Sequence, residues 1–225
     1  MSVSAHYRTP EDLPEVIPVF PLAGALLLPR AQLPLNIFEP RYFAMTDDAM
    51  KGSRVIGMIQ PDESKGGSAM RPALFSVGGA GKITQFAETG DGRYLITLTG
   101  IARFRVMEEL PVNTLYRQCR VDFASFRSDF IPRYGEDEVD RERLLKTLAD
   151  YLRANRLEAD WQDIRQAPTE ALVNGLSMMS PYGPPEKQAL LEAPDLKSRT
   201  DVLIAITEMA LARSRTGGDN DLPMQ

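Results

Sequence analysis

Cysteine, histidine and tryptophan each occur only once in this sequence of 225 residues. A single cysteine cannot form a disulfide within the chain, so a disulfide-stapled scaffold is excluded and a reducing compartment is indicated. One cysteine and one histidine also fall short of an ordinary zinc site, which takes about four such ligands, or three and an open position. We therefore expect no metal cofactor.

Long apolar runs and an excess of basic residues are also missing. The most apolar segment, 19–28, is short and is interrupted by Pro21 and Gly24, so it cannot cross a bilayer. The N-terminal residues have no apolar stretch behind a basic one, so we expect no signal peptide. With 26 Lys and Arg against 31 Asp and Glu, the net charge of −5 gives no general attraction to nucleic acid or anionic membranes. These features predict a soluble cytoplasmic protein.

The first 130 residues or so follow the period-two pattern of β-strands. The predicted strands cover residues 16–20, 26–28, 33–37, 54–59, 74–77, 93–99, 101–107 and 116–126. The clearest one, 93–99, is entered through Asp91-Gly92, a dipeptide that tolerates the positive φ of a hairpin turn. One helix is predicted over 40–51, with Gly52 as its stop and Tyr42, Met45 and Ala49 on its inner face.

After residue 135 the apolar residues recur every 3.6 positions, which is the period of an α-helix. The predicted helices cover residues 136–155, 168–179, 184–191 and a segment from 198 through 210. Ser198 and Asp201 resemble a capping box at the start of the last one. The spacing turns Met179 and Met209 toward the core.

The change of period predicts an α+β protein with two units. A coiled sheet or small barrel is expected over 13–132, and a C-terminal helical bundle over 133–216. The tails, 1–12 and 217–225, are expected to be flexible.

No pattern in the sequence indicates catalysis or a nucleotide cofactor. The glycine-rich segment 78–83 lacks two elements of a P-loop, because Ser76 stands where the first glycine is needed and Ile83 where Ser or Thr is needed. It is predicted to be a bulge or tight turn between strands. A nucleophilic site would have to combine His6, in a polar N-terminal segment, with Cys119, in a predicted strand. We therefore predict a protein that is not an enzyme and has no cofactor.

Arginines and aromatic residues alternate in the last third of the β-rich region. The arginines are Arg103, Arg105, Arg117, Arg120, Arg127 and Arg133, and the aromatic residues are Phe104, Tyr116, Phe123 and Phe126. Such interleaving can bind single-stranded nucleic acid. Acidic residues in the same stretch favour ordinary exposed strand faces instead, so RNA binding is kept as the alternative function.

Several segments of the sequence occur in a characteristic order. They are Ile17-Pro-Val-Phe-Pro-Leu22, Leu28-Pro29, Leu33-Pro-Leu-Asn-Ile-Phe-Glu-Pro-Arg-Tyr42, residues 74–84 and 92–104, and Glu186–Glu192 followed by Arg199. Together they resemble the N-terminal domain of Lon proteases. The resemblance covers residues 13 to 213. It implies a PUA-like β-domain followed by a helical bundle, and a role in recognising unfolded or tagged proteins. In Lon proteases an ATPase module and a peptidase module follow this domain, and the sequence up to Gln225 contains neither. We therefore expect a stand-alone bacterial Lon-domain protein.

The resemblance also places a candidate site at the junction of a strand and a helix. Charged residues near this junction take part in substrate recognition in Lon, and here Glu39 and Arg41 match them by position. Phe38 and Tyr42 would add flat apolar surface to a polypeptide-binding groove. The alternative is that Phe38 and Tyr42 are core residues and that Glu39 and Arg41 form a local ion pair. The expected partners are unfolded polypeptides or a folded protein, such as a protease or chaperone that the chain would serve as an adaptor. No membrane partner is expected, nucleic acid is only the alternative, and the oligomeric state is left open.

Overall fold

The computed structural model describes residues 7–68 and 71–217, and the elements named below belong to these residues. The strands are β1 (Val16–Pro21), β2 (Gln32–Ile37), β3 (Val55–Pro61), β4 (Gly67–Ser68), β5 (Arg71–Pro72), β6 (Leu74–Glu88), β7 (Tyr94–Glu109) and β8 (Arg117–Asp122). The helices are α1 (Pro40–Lys51), α2 (Arg141–Ala154), α3 (Trp161–Gln166), α4 (Thr169–Met179), α5 (Pro184–Glu192) and α6 (Leu196–Gly217). None of the described helices is both long enough and apolar enough to span a bilayer.

Five of the strands close into a barrel-like sheet. They are neighbours in the order β7, β6, β3, β1, β8, and β8 pairs back onto β7. Closure depends on the length of β7, which pairs with β2 through residues 94–99 and with β8 through residues 105–109. β2 therefore lies outside the closed ring, and within the described residues its other edge has no strand neighbour. The α+β class predicted from the sequence is confirmed.

The strongest local signals in the sequence gave the correct elements. The helix predicted over 40–51 is α1, with Gly52 at its C-terminal end and Tyr42, Met45 and Ala49 buried. The hairpin between β6 and β7 turns at the predicted Asp91-Gly92, where Gly92 has a φ of +78°. Both features depend on local chemistry, so tertiary contacts did not change them.

The strand predicted at 26–28 is wrong. Leu26, Leu27 and Leu28 are buried in a loop that lies against the sheet. A Cβ on Gly79 would lie 1.9 Å from the Leu27 carbonyl oxygen, so only glycine permits this approach of backbone to backbone. The glycine-rich segment is thus an internal part of β6, not a bulge or turn between strands. The register shift beside it, between Ala80 and Gly81, places the extra residue, Ile101, on β7.

The helical half differs from the prediction in three places. α2 begins at Arg141 rather than 136, because the Asp140 side chain accepts a hydrogen bond from the Arg143 N–H and a 3-10 turn precedes it. α3 was not predicted at all. α6 begins at Leu196, and the Asp195 carboxylate caps it by accepting the Ser198 N–H at 2.7 Å, so the predicted capping box is wrong.

The N-terminal residues that the structure describes are in contact with the barrel. Pro10–Asp12 form a 3-10 helix with a capping box to Thr9, and the partly buried Tyr7 packs against the barrel core. Residues 1–6 and 218–225, which belong to the two predicted flexible tails, lie outside the described residues.

A buried ion pair links the barrel to the helices. Arg103 on β7 donates to both carboxylate oxygens of Asp129, at 2.9 and 2.8 Å. The same guanidinium donates to the carbonyls of Leu191 and Ala193 at the end of α5. Leu26 and Leu28 of the buried loop and Val77 of β6 also share a hydrophobic cluster with the helices. The division of the chain into two subdomains at residue 132 stays a prediction. If it holds, these contacts lie between the two subdomains.

Candidate functional site

The four residues predicted at the strand-to-helix junction separate into two environments. Phe38 follows β2 directly and is 62% exposed, whereas Tyr42 in the first turn of α1 is only 4% exposed. Glu39 is the N-cap residue of α1, and Arg41 lies in its first turn. The junction therefore presents Phe38, Glu39 and Arg41 at the surface and keeps Tyr42 inside.

Tyr42 belongs to the core. Its ring lies 4.0 Å from that of Phe20 between centroids, and it packs in the same cluster as Met45 and Ala49. Burial raises the pKa of its phenol. The ring does not provide the flat exposed wall that the sequence suggested, and the alternative reading as a core residue fits it.

Glu39 and Arg41 form a local ion pair. The Arg41 guanidinium donates from Nε to Glu39 Oε2 at 2.9 Å, and its Nη2 lies 2.8 Å from the same oxygen. The guanidinium carbon also lies 4.5 Å from the centroid of the Tyr42 ring, which is within cation–π distance. A pair this exposed adds little stability, but it holds the guanidinium in a defined place at the start of α1.

Phe38 continues the solvent-facing side of the edge strand. Side chains alternate along β2, so Pro34, Asn36 and Phe38 are exposed while Leu35 and Ile37 are buried. Asn36 lies opposite Leu95 of β7, which is also exposed. A shallow hollow of about 500 Å³ lies on this face. We call Phe38, Glu39, Arg41, Pro34 and Leu95 the junction surface.

A second apolar surface, which the sequence did not indicate, lies among the helices. Met179 at the end of α4 is 78% exposed, against the prediction that it faces the core. It borders cavities of about 320, 490 and 410 Å³, and the last of these is walled by Leu148, Leu152, Ala171 and Leu176. We call this surface the helical groove.

The helical groove was not predicted from the sequence, because the residues that line it have the same 3.6-residue spacing as core residues. One signal could have revealed it. Ala171 and Gly175 precede Met179 by eight and four positions, so small residues lie along one line of α4 and leave space beside it.

The arginine-rich stretch does not form a platform for stacking bases. Its aromatic residues, Phe104, Tyr116, Phe123 and Phe126, are all buried. Arg103 is buried too, and the more exposed Arg120, Arg127 and Arg133 each lie within 4 Å of a carboxylate. These contacts favour the other interpretation of the stretch, in which its exposed arginines are balanced by acidic residues.

Of the two residues considered for nucleophilic catalysis, the structure describes only Cys119. Cys119 is fully buried in β8, and burial raises the pKa of its thiol to about 11, so it stays protonated at neutral pH. His6 lies outside the described residues. In the part of the chain that the structure describes, no group of three or more His, Cys, Asp or Glu residues could hold a metal ion.

A closed five-stranded sheet with an added edge strand, followed by helices, is the fold of Lon N-terminal domains. A Lon N-terminal domain protein from Xanthomonas campestris superimposes with a TM-score of 0.60 at 22% identity, over 84% of this chain and 97% of that one. The N-terminal domain of Mycobacterium avium complex Lon protease gives a TM-score of 0.63 at 20% identity, over 86% and 98%. At these identities the likeness shows the fold.

The sequence shows the family. Residues 16–208 match the ATP-dependent protease La (LON) substrate-binding domain, and the chain belongs to this family. Lon protease 2 of Myxococcus xanthus is 27% identical over 203 residues, covering 87% of this chain and 24% of the relative. Lon protease of Anaeromyxobacter dehalogenans is 25% identical over 203 residues, covering 87% and 23%. The chain thus spans about a quarter of the length of these relatives.

Proposed function

We propose that this chain binds extended segments of unfolded polypeptide at the junction surface, without cleaving them, as an adaptor or chaperone-like module. The observation that carries the proposal is Phe38, a large aromatic side chain left 62% exposed at the end of an edge strand. Membership of a substrate-binding domain family supports the same role.

The geometry suits an extended chain. An edge strand offers unpaired backbone groups, and an added segment can pair with them while its side chains meet the outer face of the sheet. Phe38 and Leu95 supply apolar contact on that face. The Glu39–Arg41 pair supplies one charge of each sign at the end of β2, which distinguishes the two directions of a bound chain.

RNA binding, the alternative considered from the sequence, is not proposed. It was based on the PUA-like fold that the resemblance implied and on the interleaving of arginines with aromatic residues, and those aromatic rings are buried. Base stacking on them would require the barrel core to open.

Replacing Phe38 with alanine is expected to raise the dissociation constant for an unfolded polypeptide about tenfold. Losing an aromatic contact of this size removes roughly 1–2 kcal/mol of apolar burial. The measurement is fluorescence anisotropy of a labelled, permanently unfolded polypeptide titrated with the protein at moderate salt. Met107→Ala is the matched control. Met107 is also 62% exposed, but it lies near the C-terminal end of β7, whereas β2 pairs with residues 94–99 at the N-terminal end. The Met107→Ala variant should bind the polypeptide as tightly as the unaltered protein.

Two results would change the proposal in different ways. If the unaltered protein shows no saturable binding up to about 100 μM, polypeptide binding is wrong. If Phe38→Ala binds normally and Met179→Ala binds weakly, the function stands and the site is the helical groove instead.

A further inference from the structure

Three arginines from separate elements converge on a small hollow beside the junction surface. Arg41 comes from α1, Arg71 from β5 and Arg117 from β8, and the hollow has a volume of about 130 Å³. Among the lining residues that the structure describes, these three are the charged ones. A hollow whose charged lining is entirely guanidinium attracts an anion.

The guanidinium groups are held in place by partners behind the hollow. Glu109 accepts from Arg117 Nε at 3.0 Å and from Arg71 Nη2 at 2.6 Å. Arg117 Nη1 also donates to the Pro72 carbonyl at 2.7 Å, and Glu39 holds Arg41 as described above. Two carboxylates thus orient three guanidinium groups. Arg117, whose side chain is 13% exposed, therefore has little rotamer entropy left to lose when a ligand enters. A third carboxylate, Asp48, accepts from the Tyr116 hydroxyl at 3.0 Å and is itself paired with Lys51, so one positive charge remains in excess.

The remaining walls are largely apolar and aromatic. Tyr42 and Tyr116, both buried, line the hollow, while Leu115 on its border is 69% exposed. A volume of this size accepts a carboxylate and a few neighbouring atoms. The Nε and Nη2 edges of the three guanidinium groups already contact Glu39 or Glu109, so an entering carboxylate would accept charge-assisted hydrogen bonds from the outward Nη N–H groups.

We propose that this hollow binds the terminal α-carboxylate of a polypeptide that lies on the junction surface, an inference that rests on the proposed function. Arg41 belongs to both sites, so the hollow is continuous with the junction surface. The apolar border selects the α-carboxylate over an Asp or Glu side chain. A terminal residue brings its own apolar side chain next to its carboxylate, within reach of Leu115, and an acidic side chain brings none.

The test compares labelled unfolded peptides of one sequence that ends in leucine, with either a free C-terminal acid or a C-terminal amide. The amide is expected to bind about tenfold more weakly, because charge-assisted hydrogen bonds to the carboxylate are lost. Arg41→Gln and, separately, the more exposed Arg71→Gln should each shrink this difference. Arg143→Gln is the control, since the exposed Arg143 pairs with Glu208 between α2 and α6 and does not line the hollow.

The outcomes separate this inference from the function it rests on. Equal binding of acid and amide would overturn the carboxylate site and leave polypeptide binding intact. Failure of both peptides to bind would overturn both proposals. A third peptide, amidated but with glutamate at its last position, tests the source of the carboxylate. If it binds as tightly as the free acid, selection of the chain terminus is wrong. Melting temperatures of the variants confirm that each one is folded.

Discussion

Replacing Asp129 with alanine is expected to lower the free energy of unfolding by about 3–5 kcal/mol. Arg103, whose side chain is 1% exposed, would lose its counter-charge while staying buried between the barrel and α5. The same carboxylate also acts on Arg199. Burial and the charge of Arg103 lower the pKa of Arg199 to about 10, and Asp129 opposes that effect. Its removal therefore leaves two buried guanidinium groups without this compensation.

Urea unfolding followed by circular dichroism measures this loss. Asp201→Ala is the control, because Asp201 pairs with Lys197 on the exposed face of α6 and its removal should cost less than about 1 kcal/mol. Combining Arg103→Met with Asp129→Leu should recover part of the loss, since no uncompensated charge then remains at this pair. A loss below about 1 kcal/mol for Asp129→Ala would contradict a structural role for the ion pair.

Replacing Gly79 with alanine is expected to cost at least about 3 kcal/mol, at the upper end of overpacking effects. The new Cβ would lie 1.9 Å from the Leu27 carbonyl oxygen, and both partners of this clash are backbone. Neither can rotate away, so β6 and the loop over 26–28 would have to separate. Because that loop contributes to the clusters on both sides of the sheet, the barrel and the helices would both be affected.

A graded series tests this explanation by thermal unfolding. At Gly57 a Cβ would meet only side-chain atoms of Ile17 and Phe104 at 2.9 Å, so its alanine variant should lose less than the Gly79 variant. At Gly90 nothing lies within 4 Å, and alanine there should change the melting temperature little or raise it slightly. A Gly79 variant as stable as the Gly90 variant would show that the loop does not lie against the sheet.

The secondary-structure elements that the sequence predicted correctly are those whose ends are fixed by nearby residues. Proline at the start of α1 and glycine after it define that helix by themselves, and Asp91-Gly92 defines the hairpin. The apolar segment 26–28 has no nearby residue that fixes its conformation in this way. Three apolar residues fit a strand or a buried loop equally well, and only the glycines of the facing strands distinguish the two.

In the candidate site, too, some positions could be predicted from the sequence and others could not. The spacing of Tyr42 with Met45 and Ala49 predicted an inward position, and burial of the ring agrees with it. Phe38 follows the strand alternation to the exposed side. The groove bordered by Met179 could not be predicted, because its openness depends on how α2, α3 and α4 pack together rather than on the pattern of any one helix.

Photo-crosslinking from position 38 tests most directly whether the junction surface holds polypeptide. A photoreactive phenylalanine analogue replaces Phe38 in one variant, Met107 in a second and Met179 in a third, and each is irradiated with a labelled unfolded polypeptide. We predict a saturable crosslink from position 38, competed by unlabelled unfolded polypeptide and far stronger than from position 107. Crosslinks of equal yield at positions 38 and 107, or a specific crosslink at position 179 alone, would contradict the assignment of the junction surface.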